Sequence, residues 1–163
     1  EDNEIKLLKS VTDKTQLEAY ENHIHLFGKV KKKYQKNAVK VKFYHLSMSN
    51  VYAANAYDEF GRRVILINSI YKDAPVEQIA CLIAHESCHT ARKATLDEET
   101  RATSKEASCW AKLKRNGVTY PQTKLTKRLD NIASLHIASQ ADGNNYIQDK
   151  IASSSFYKAQ FNL

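Results

Sequence analysis

The 163-residue chain lacks several features by which whole classes of protein are recognised. It has no uninterrupted apolar run long enough to cross a membrane, so we expect no membrane span. It has four glycines but no glycine-rich phosphate loop, and it carries no aromatic RNA-binding motif. Repeats, low-complexity tracts and linkers are also missing. These absences favour a single domain over residues 1–163, with the motif-bearing core at about residues 38–115.

Basic residues outnumber acidic ones, with 25 Lys and Arg against 18 Asp and Glu, which gives a net charge of +7. The excess is concentrated at residues 29–42 and 124–128. Such a surface can attract nucleic acid, anionic lipid or an acidic substrate. Because no recognition motif accompanies the lysines, we interpret the basic residues as solvent-exposed faces of a basic protein. We do not expect nucleic acid as a partner.

Three cysteines cannot all pair within one chain, so at least one thiol is unpaired. Cys81 and Cys109 fall on neighbouring predicted helices, where a disulfide and two buried thiols are both compatible with the sequence. Cys88 is turned about 100° away from His89 around a helix, so we expect no cysteine ligand to a metal.

The sequence begins with Glu1 rather than Met. Removal of a secretory signal would give such a start, and so would other trimming of the N-terminus. An exported or secreted protein is therefore one expectation, and a cytoplasmic location stays open. The oligomeric state is also left open.

The most informative stretch of the chain is His85-Glu86-Ser87-Cys88-His89, which has the pattern HExxH. Two histidines four residues apart lie on one face of a helix, so both imidazoles can reach one metal ion. The glutamate after the first histidine can take a proton from a water on that metal. The residues before the motif are apolar, as a buried helix that presents only metal-binding groups requires. The pattern predicts Zn²⁺ bound by His85 and His89, with Glu86 as the catalytic base.

Hydrophobic periodicity predicts a small sheet with helices before and after it. Helical spacing covers residues 7–33, 75–93 and 96–114, and a further helix follows Pro121. Strand patterns lie at residues 39–44, 51–57 and 63–68, with a turn at 58–61. Residues 141–145 form a turn, and the tail after it is apolar enough to pack. This order of elements predicts an α+β domain.

A hydrolytic zinc site usually has three protein ligands, so a third ligand must come from another segment. A capping box that begins at Thr95 predicts a tight turn followed by an antiparallel helix. Matching of levels between the two helices brings Glu99 beside His89, and the small Ala102 lets the helices approach closely. Glu106 lies on the same face and is predicted to support a ligand, to form a structural salt bridge, or to replace Glu99 as the ligand if the turn is longer.

The HExxH motif followed by Glu99-Thr100-Arg101-Ala102, an ExxA pattern on the next helix, resembles the gluzincin metallopeptidases. The strand, strand and helix order of residues 51–113 is similar to that of the minigluzincins, small members without a membrane part. The resemblance implies a zincin-like fold, in which a small sheet packs against the HExxH helix and an antiparallel ligand helix, with further helices at both ends. It also implies that His85, His89 and Glu99 bind zinc and that Glu86 is the base.

The resemblance has three further implications for single residues. The strand before the HExxH helix, at residues 63–68, borders the cleft in that family and can align a peptide by β-augmentation. Thr103 stands where many relatives have an Asp that orients a ligand histidine, and a hydroxyl orients a histidine more weakly. Relatives often stabilise the oxyanion with a His, Tyr or Arg from the C-terminal part, for which His136, Tyr120 and Tyr146 are candidates.

The sequence therefore predicts a zinc-dependent metallopeptidase that hydrolyses peptide bonds in a peptide or protein substrate through a zinc-bound water activated by Glu86. A second interpretation is a zincin-fold binding or accessory module without hydrolysis. The glutamate at position 86 argues against it, because a structural zinc site has no need of a base. A third interpretation, a basic nucleic-acid-binding domain, depends on charge alone.

Overall fold

The computed structural model describes residues 40–47, 51–57, 59, 61–89 and 94–161. The helix predicted at residues 7–33 lies outside the described residues, and so does part of the turn predicted at residues 58–61. Within the described part of the chain, no helix is both long enough and apolar enough to cross a lipid bilayer.

The described residues form three strands and five α-helices, an α+β arrangement as predicted. The strands are β1 (Lys40–Tyr44), β2 (Ala53–Tyr57) and β3 (Arg63–Asn68). The helices are α1 (Val76–Cys88), α2 (Leu96–Leu113), α3 (Lys124–Asp142), α4 (Tyr146–Ser153) and α5 (Ser155–Phe161), and a short 3-10 helix at Ser69–Tyr71 precedes α1.

The central strand of the sheet is β3, because the strands are ordered β1-β3-β2. It runs parallel to β1 and antiparallel to β2. Its β-branched residues Val64, Ile65 and Ile67 are buried, as expected for a strand with a neighbour on each side. Both edges of β3 are hydrogen-bonded, so it cannot take up a peptide as the family resemblance suggested. Among the described residues, the edge strand that contributes side chains to the site is β2.

Helix α1 is buried from Val76 to Ser87, which explains its nearly uncharged sequence. It ends at Cys88, and His89 already has extended backbone, with ψ at 125°. The expectation that this helix continues to residue 93 is therefore wrong. The physical reason is the chain reversal before Thr95, because a helix to residue 93 would leave a single residue in which to turn.

Helix α2 packs against α1 in the opposite direction. The side chains of Cys81 and Cys109, of His85 and Glu106, and of His89 and Glu99 meet in that order. The predicted N-cap of α2 is confirmed, since Oγ1 of Thr95 accepts a hydrogen bond from the Glu98 amide. All three cysteines are thiols that form no disulfide, and Sγ of Cys81 donates a hydrogen bond of 3.1 Å to Sγ of Cys109. The structure therefore contains two buried thiols at this contact, not a disulfide.

Helices α3 and α4 both pack against α2. Helix α3 begins after Thr123, whose Oγ1 accepts a hydrogen bond from the Thr126 amide, and it ends at Asp142 with Gly143 as its C-cap. The left-handed φ of Gly143, 80°, explains a glycine at the predicted turn. Ile147 and Ile151 of α4 join the core, so the tail is packed as its composition predicted.

Candidate metal centre

Three side chains from the facing ends of α1 and α2 form a buried group that can hold a metal ion: His85, His89 and Glu99. The two Nε2 atoms lie 3.2 Å apart. Oε1 of Glu99 lies 3.3 Å from Nε2 of His89, and Oε2 lies 3.7 Å from Nε2 of His85. A tetrahedral ion with bonds of about 2.0–2.1 Å has ligand atoms about 3.3 Å apart, so these separations fit one ion between the two nitrogens and the Glu99 carboxylate.

The outer nitrogen of each histidine ring faces a glutamate carboxylate. Nδ1 of His85 lies 2.9 Å from a carboxylate oxygen of Glu106, and Nδ1 of His89 lies 3.8 Å from one of Glu98. A carboxylate only accepts hydrogen bonds, so Glu106 favours the neutral His85 tautomer that has its proton on Nδ1 and the lone pair of Nε2 on the side of Glu99. Glu98 lies beyond hydrogen-bond distance of His89, so its carboxylate acts on that ring by its charge. Two imidazole nitrogens and the Glu99 carboxylate have the chemistry of a metal-ligand set.

Glu106 is held behind His85 and away from the ligand atoms. Nη2 of Arg128 lies 2.9 Å from its Oε2, and Nε lies 3.2 Å from its Oε1. Burial alone would raise the pKa of Glu106, but Arg128 and His85 outweigh it and lower that pKa to about 2. The carboxylate is therefore ionised and fully engaged. Thr103, the other predicted supporting residue, is buried on α2 and does not line the cavity at the site.

The two histidines differ in their electrostatic surroundings. Burial disfavours a charged His85, but the hydrogen bond to Glu106 and its negative charge dominate and raise the pKa of His85. Burial and the neighbouring His85 lower the pKa of His89. A histidine binds a metal in its neutral form, which the lowered pKa of His89 favours. The raised pKa of His85 favours its protonated form, so metal binding would replace the ring proton with the positive charge of the ion.

Glu86 lines an open cavity of about 520 Å³, and His85 and His89 line the same cavity. Burial raises the pKa of Glu86 above its ordinary value, which makes its carboxylate a better proton acceptor near neutral pH. Nδ2 of Asn55, in β2, donates a hydrogen bond of 2.5 Å to Oε2 of Glu86. No sequence pattern identifies Asn55, which is 31 residues from Glu86.

Tyr157, in α5, is a second residue of the site that the sequence analysis missed. Its Oη donates to Oε2 of Glu99 at 3.2 Å, and its ring lines the cavity. Burial, with the charge of Glu99, raises the pKa of Tyr157, so the phenol keeps its proton. It is a neutral hydrogen-bond donor at the edge of the metal-ligand group.

The structure brings none of the three predicted oxyanion residues to this cavity. His136 is half-buried on α3 near Lys112, which together with burial lowers the pKa of His136. The ring of Tyr120 packs edge-on against Trp110, 4.9 Å between centroids, in the core. Tyr146 donates its hydroxyl proton to Asp142 at the end of α3.

Comparison with known proteins assigns the chain to no family. No family model matches it, and neither a curated protein nor a solved structure is significantly similar to it. Its function has to be inferred from the centre itself.

Proposed function

We propose that this protein is a zinc-dependent metallopeptidase of the gluzincin type, with a zincin-like fold. The observation that carries the proposal is the convergence of the two Nε2 atoms and the Glu99 carboxylate at one cavity that also contains Glu86. Metal ligands and a carboxylate of raised pKa at one open surface are the groups that metal-assisted hydrolysis requires.

Zinc is the metal that suits the donor atoms. Two imidazole nitrogens and one carboxylate are a donor set of catalytic zinc sites, whereas Mg²⁺ and Ca²⁺ favour oxygen ligands. His85, His89 and Glu99 would hold the ion, and Glu106 would keep the His85 ring in position through Nδ1. A zinc ion bound there would supply Lewis acidity, which polarises a carbonyl and makes water more acidic.

Glu86 would act as the general base and then as the general acid. Its carboxylate accepts a proton from the attacking water and delivers it to the leaving amine. A base needs a pKa near the working pH, and burial of Glu86 shifts its pKa in that direction. Glu86 is therefore the residue whose removal should separate metal binding from hydrolysis.

A peptide substrate is supported by the edge of β2 along the cavity. Ala53 and Ala54 belong to this strand, line the cavity and are half-buried. Their small side chains leave the backbone accessible, and an extended peptide can pair with an edge strand through main-chain hydrogen bonds. Leu82 and Phe156 contribute apolar wall next to the metal ligands, where a substrate side chain would lie.

Tyr157 takes the place proposed from sequence for His136 as the group that stabilises the oxyanion. Its phenol is protonated, faces the cavity and lies 3.2 Å from Glu99. The phenol has one proton, which Glu99 accepts in this structure, so Tyr157 would turn that proton from Glu99 to the carbonyl oxygen as negative charge develops there. His136 is not among the residues that line the cavity.

Metal analysis combined with a Glu86→Gln comparison tests the proposal. Both proteins should contain about one zinc per chain, and only the wild type should cleave casein or a peptide library. Glu59→Gln, at an exposed position before β3, is the matched control and should retain activity. Absence of metal after refolding with excess zinc would refute the proposal. A zinc-loaded wild type as inert as Glu86→Gln would instead identify a non-catalytic zinc module.

A further inference from the structure

We infer that Arg63 is a positioning residue for Glu86, acting through the side-chain amide of Asn55. The inference rests on the proposed hydrolysis only for the role of Glu86 as the base. It is carried by a continuous hydrogen-bonded chain from β3 through β2 to the last turn of α1. Nothing in the HExxH and ExxA patterns requires this chain of contacts.

The register of the sheet brings the two residues together. Arg63 is opposite Tyr57, and Asn55 is opposite Ile65, in the antiparallel pair of β2 and β3. Asn55 is two residues from Tyr57, so its side chain and that of Arg63 lie diagonally on the same face of the sheet. Nε of Arg63 donates to Oδ1 of Asn55 at 2.7 Å.

This contact fixes which way the Asn55 amide points. A guanidinium group has only donors, so the atom of Asn55 that faces Arg63 must be the carbonyl oxygen. The amide nitrogen Nδ2 is then directed at Glu86, where it donates to Oε2 at 2.5 Å and to the backbone oxygen at 3.1 Å. With the amide reversed, two acceptors would face each other at the Glu86 carboxylate. Arg63 thus determines that Asn55 presents its amide nitrogen, and not its carbonyl oxygen, to the Glu86 carboxylate.

Arg63 also anchors the backbone that carries Glu86. Its Nη2 donates to the backbone oxygen of Glu86 at 2.5 Å, and the amide of His89 donates to the same oxygen at 3.3 Å. The last carbonyls of a helix have no partner within the helix, so a guanidinium at this point stabilises its end. A single side chain therefore fixes the main chain of Glu86 and, through Asn55, its carboxylate.

The alternative is that Arg63 and Asn55 merely tie the sheet to α1. Asn55→Asp separates the two roles, because aspartate still accepts from Arg63 but has no proton to donate to Glu86. A structural tie predicts that Asn55→Asp behaves better than Asn55→Ala. Positioning of the base predicts that Asn55→Asp is at least as damaging, since it sets two carboxylates against each other.

The test uses the zinc-loaded full chain with Asn55→Ala, Asn55→Asp, Arg63→Met and the double variant Asn55→Ala/Arg63→Met. Each single variant should lower kcat on the order of 10–100-fold, with KM changed much less and zinc content unchanged, because misplacement of a catalytic group acts on the chemical step. The double variant should lose less than the product of the single losses, because both act on one carboxylate. Arg62→Met, at the adjacent exposed arginine, is the control.

A second readout does not depend on activity. The Nε proton of Arg63 should exchange slowly with solvent in the wild type and quickly in Asn55→Ala, as followed by NMR. Wild-type kcat in Arg63→Met, or recovery of kcat in Asn55→Asp, would overturn the inference, as would an Arg63 Nε proton that exchanges as fast as that of arginine in a short unstructured peptide. A wild type without hydrolysis would refute the proposed function, and the exchange rates would then decide on the Arg63–Asn55 contact alone.

Discussion

Glu99 and Glu106 lie on opposite edges of the same imidazole ring, that of His85. Oε2 of Glu99 is 3.7 Å from its Nε2, and Oε2 of Glu106 is 2.9 Å from its Nδ1. The two glutamates are about two helical turns apart on α2, so a straight helix presents one carboxylate to each side of the ring. His89 lies on the same side of the ring as Glu99, so Glu99 contacts both histidines whereas Glu106 contacts only one of them, His85. Replacement of the two glutamates should therefore change metal affinity to different extents.

Replacement of Glu99 by alanine should lower zinc affinity by more than about 100-fold, beyond the loss expected for a residue that only supports a ligand. The reason is that a three-ligand set loses one of its three donor atoms. Competition with a chromophoric chelator measures the affinity. Glu98→Ala is the matched control, because its carboxylate is 3.8 Å from Nδ1 of His89, on the outer side of the ring. An equal loss in both variants would contradict the assignment of Glu99 as a ligand.

Replacement of Glu106 by alanine should lower zinc affinity about 10–100-fold, because the His85 ring loses the acceptor that fixes it. It should also destabilise the fold by about 3 kcal/mol, since Arg128 is left beside a buried site without its partner. Chelator competition and urea denaturation measure the two effects. If Glu106→Ala lost more zinc affinity than Glu99→Ala, the ligand would be Glu106.

The position of Glu99 could be predicted because the signals that fix it are local. The N-cap at Thr95 fixes where α2 begins, so the first turn of α2 holds residue 99 wherever the preceding helix ends. The end of α1 could not be predicted in this way. Residues 89–95 contain no glycine or proline, so no local signal marks the point where His89 leaves the helix.

The contacts of Tyr157 and Asn55 could not be predicted for a different reason. Tyr157 is 58 residues from Glu99, and Asn55 is 31 residues from Glu86. Their positions depend on how the tail packs across α2 and on which strand takes the centre of the sheet. Periodicity identifies a buried face but not the partner that covers it. The expectation that β3 borders the cleft came from the family resemblance, and in the structure β3 is instead the central strand.

Replacement of Cys88 by serine should leave the zinc content at about one per chain. Its Sγ donates to the backbone oxygen of Ala84 at 3.4 Å, and it is not part of the buried ligand group. A serine hydroxyl can make the same contact within the helix. Metal analysis after exhaustive dialysis measures the content, and His89→Ala, which removes a ligand one residue away, should lose the metal. Loss of zinc from Cys88→Ser would require a different ligand set.

The metal-free protein should lose stability as the pH falls from about 4.5 toward 2, because of Glu106. Its pKa is about 2 in the folded protein against an ordinary 4.5, so folding favours the ionised form. A depressed folded-state pKa gives stability that is present above the unfolded value and lost as the pH falls through the folded one. The difference corresponds to about 3 kcal/mol at most.

Urea denaturation in chelator, at intervals across this range, should therefore give a steeper pH dependence for the wild type than for Glu106→Gln. Glu59→Gln, which changes an exposed glutamate, should follow the wild type. Parallel curves for the wild type and Glu106→Gln would show that the ion pair with Arg128 does not hold Glu106 ionised in solution.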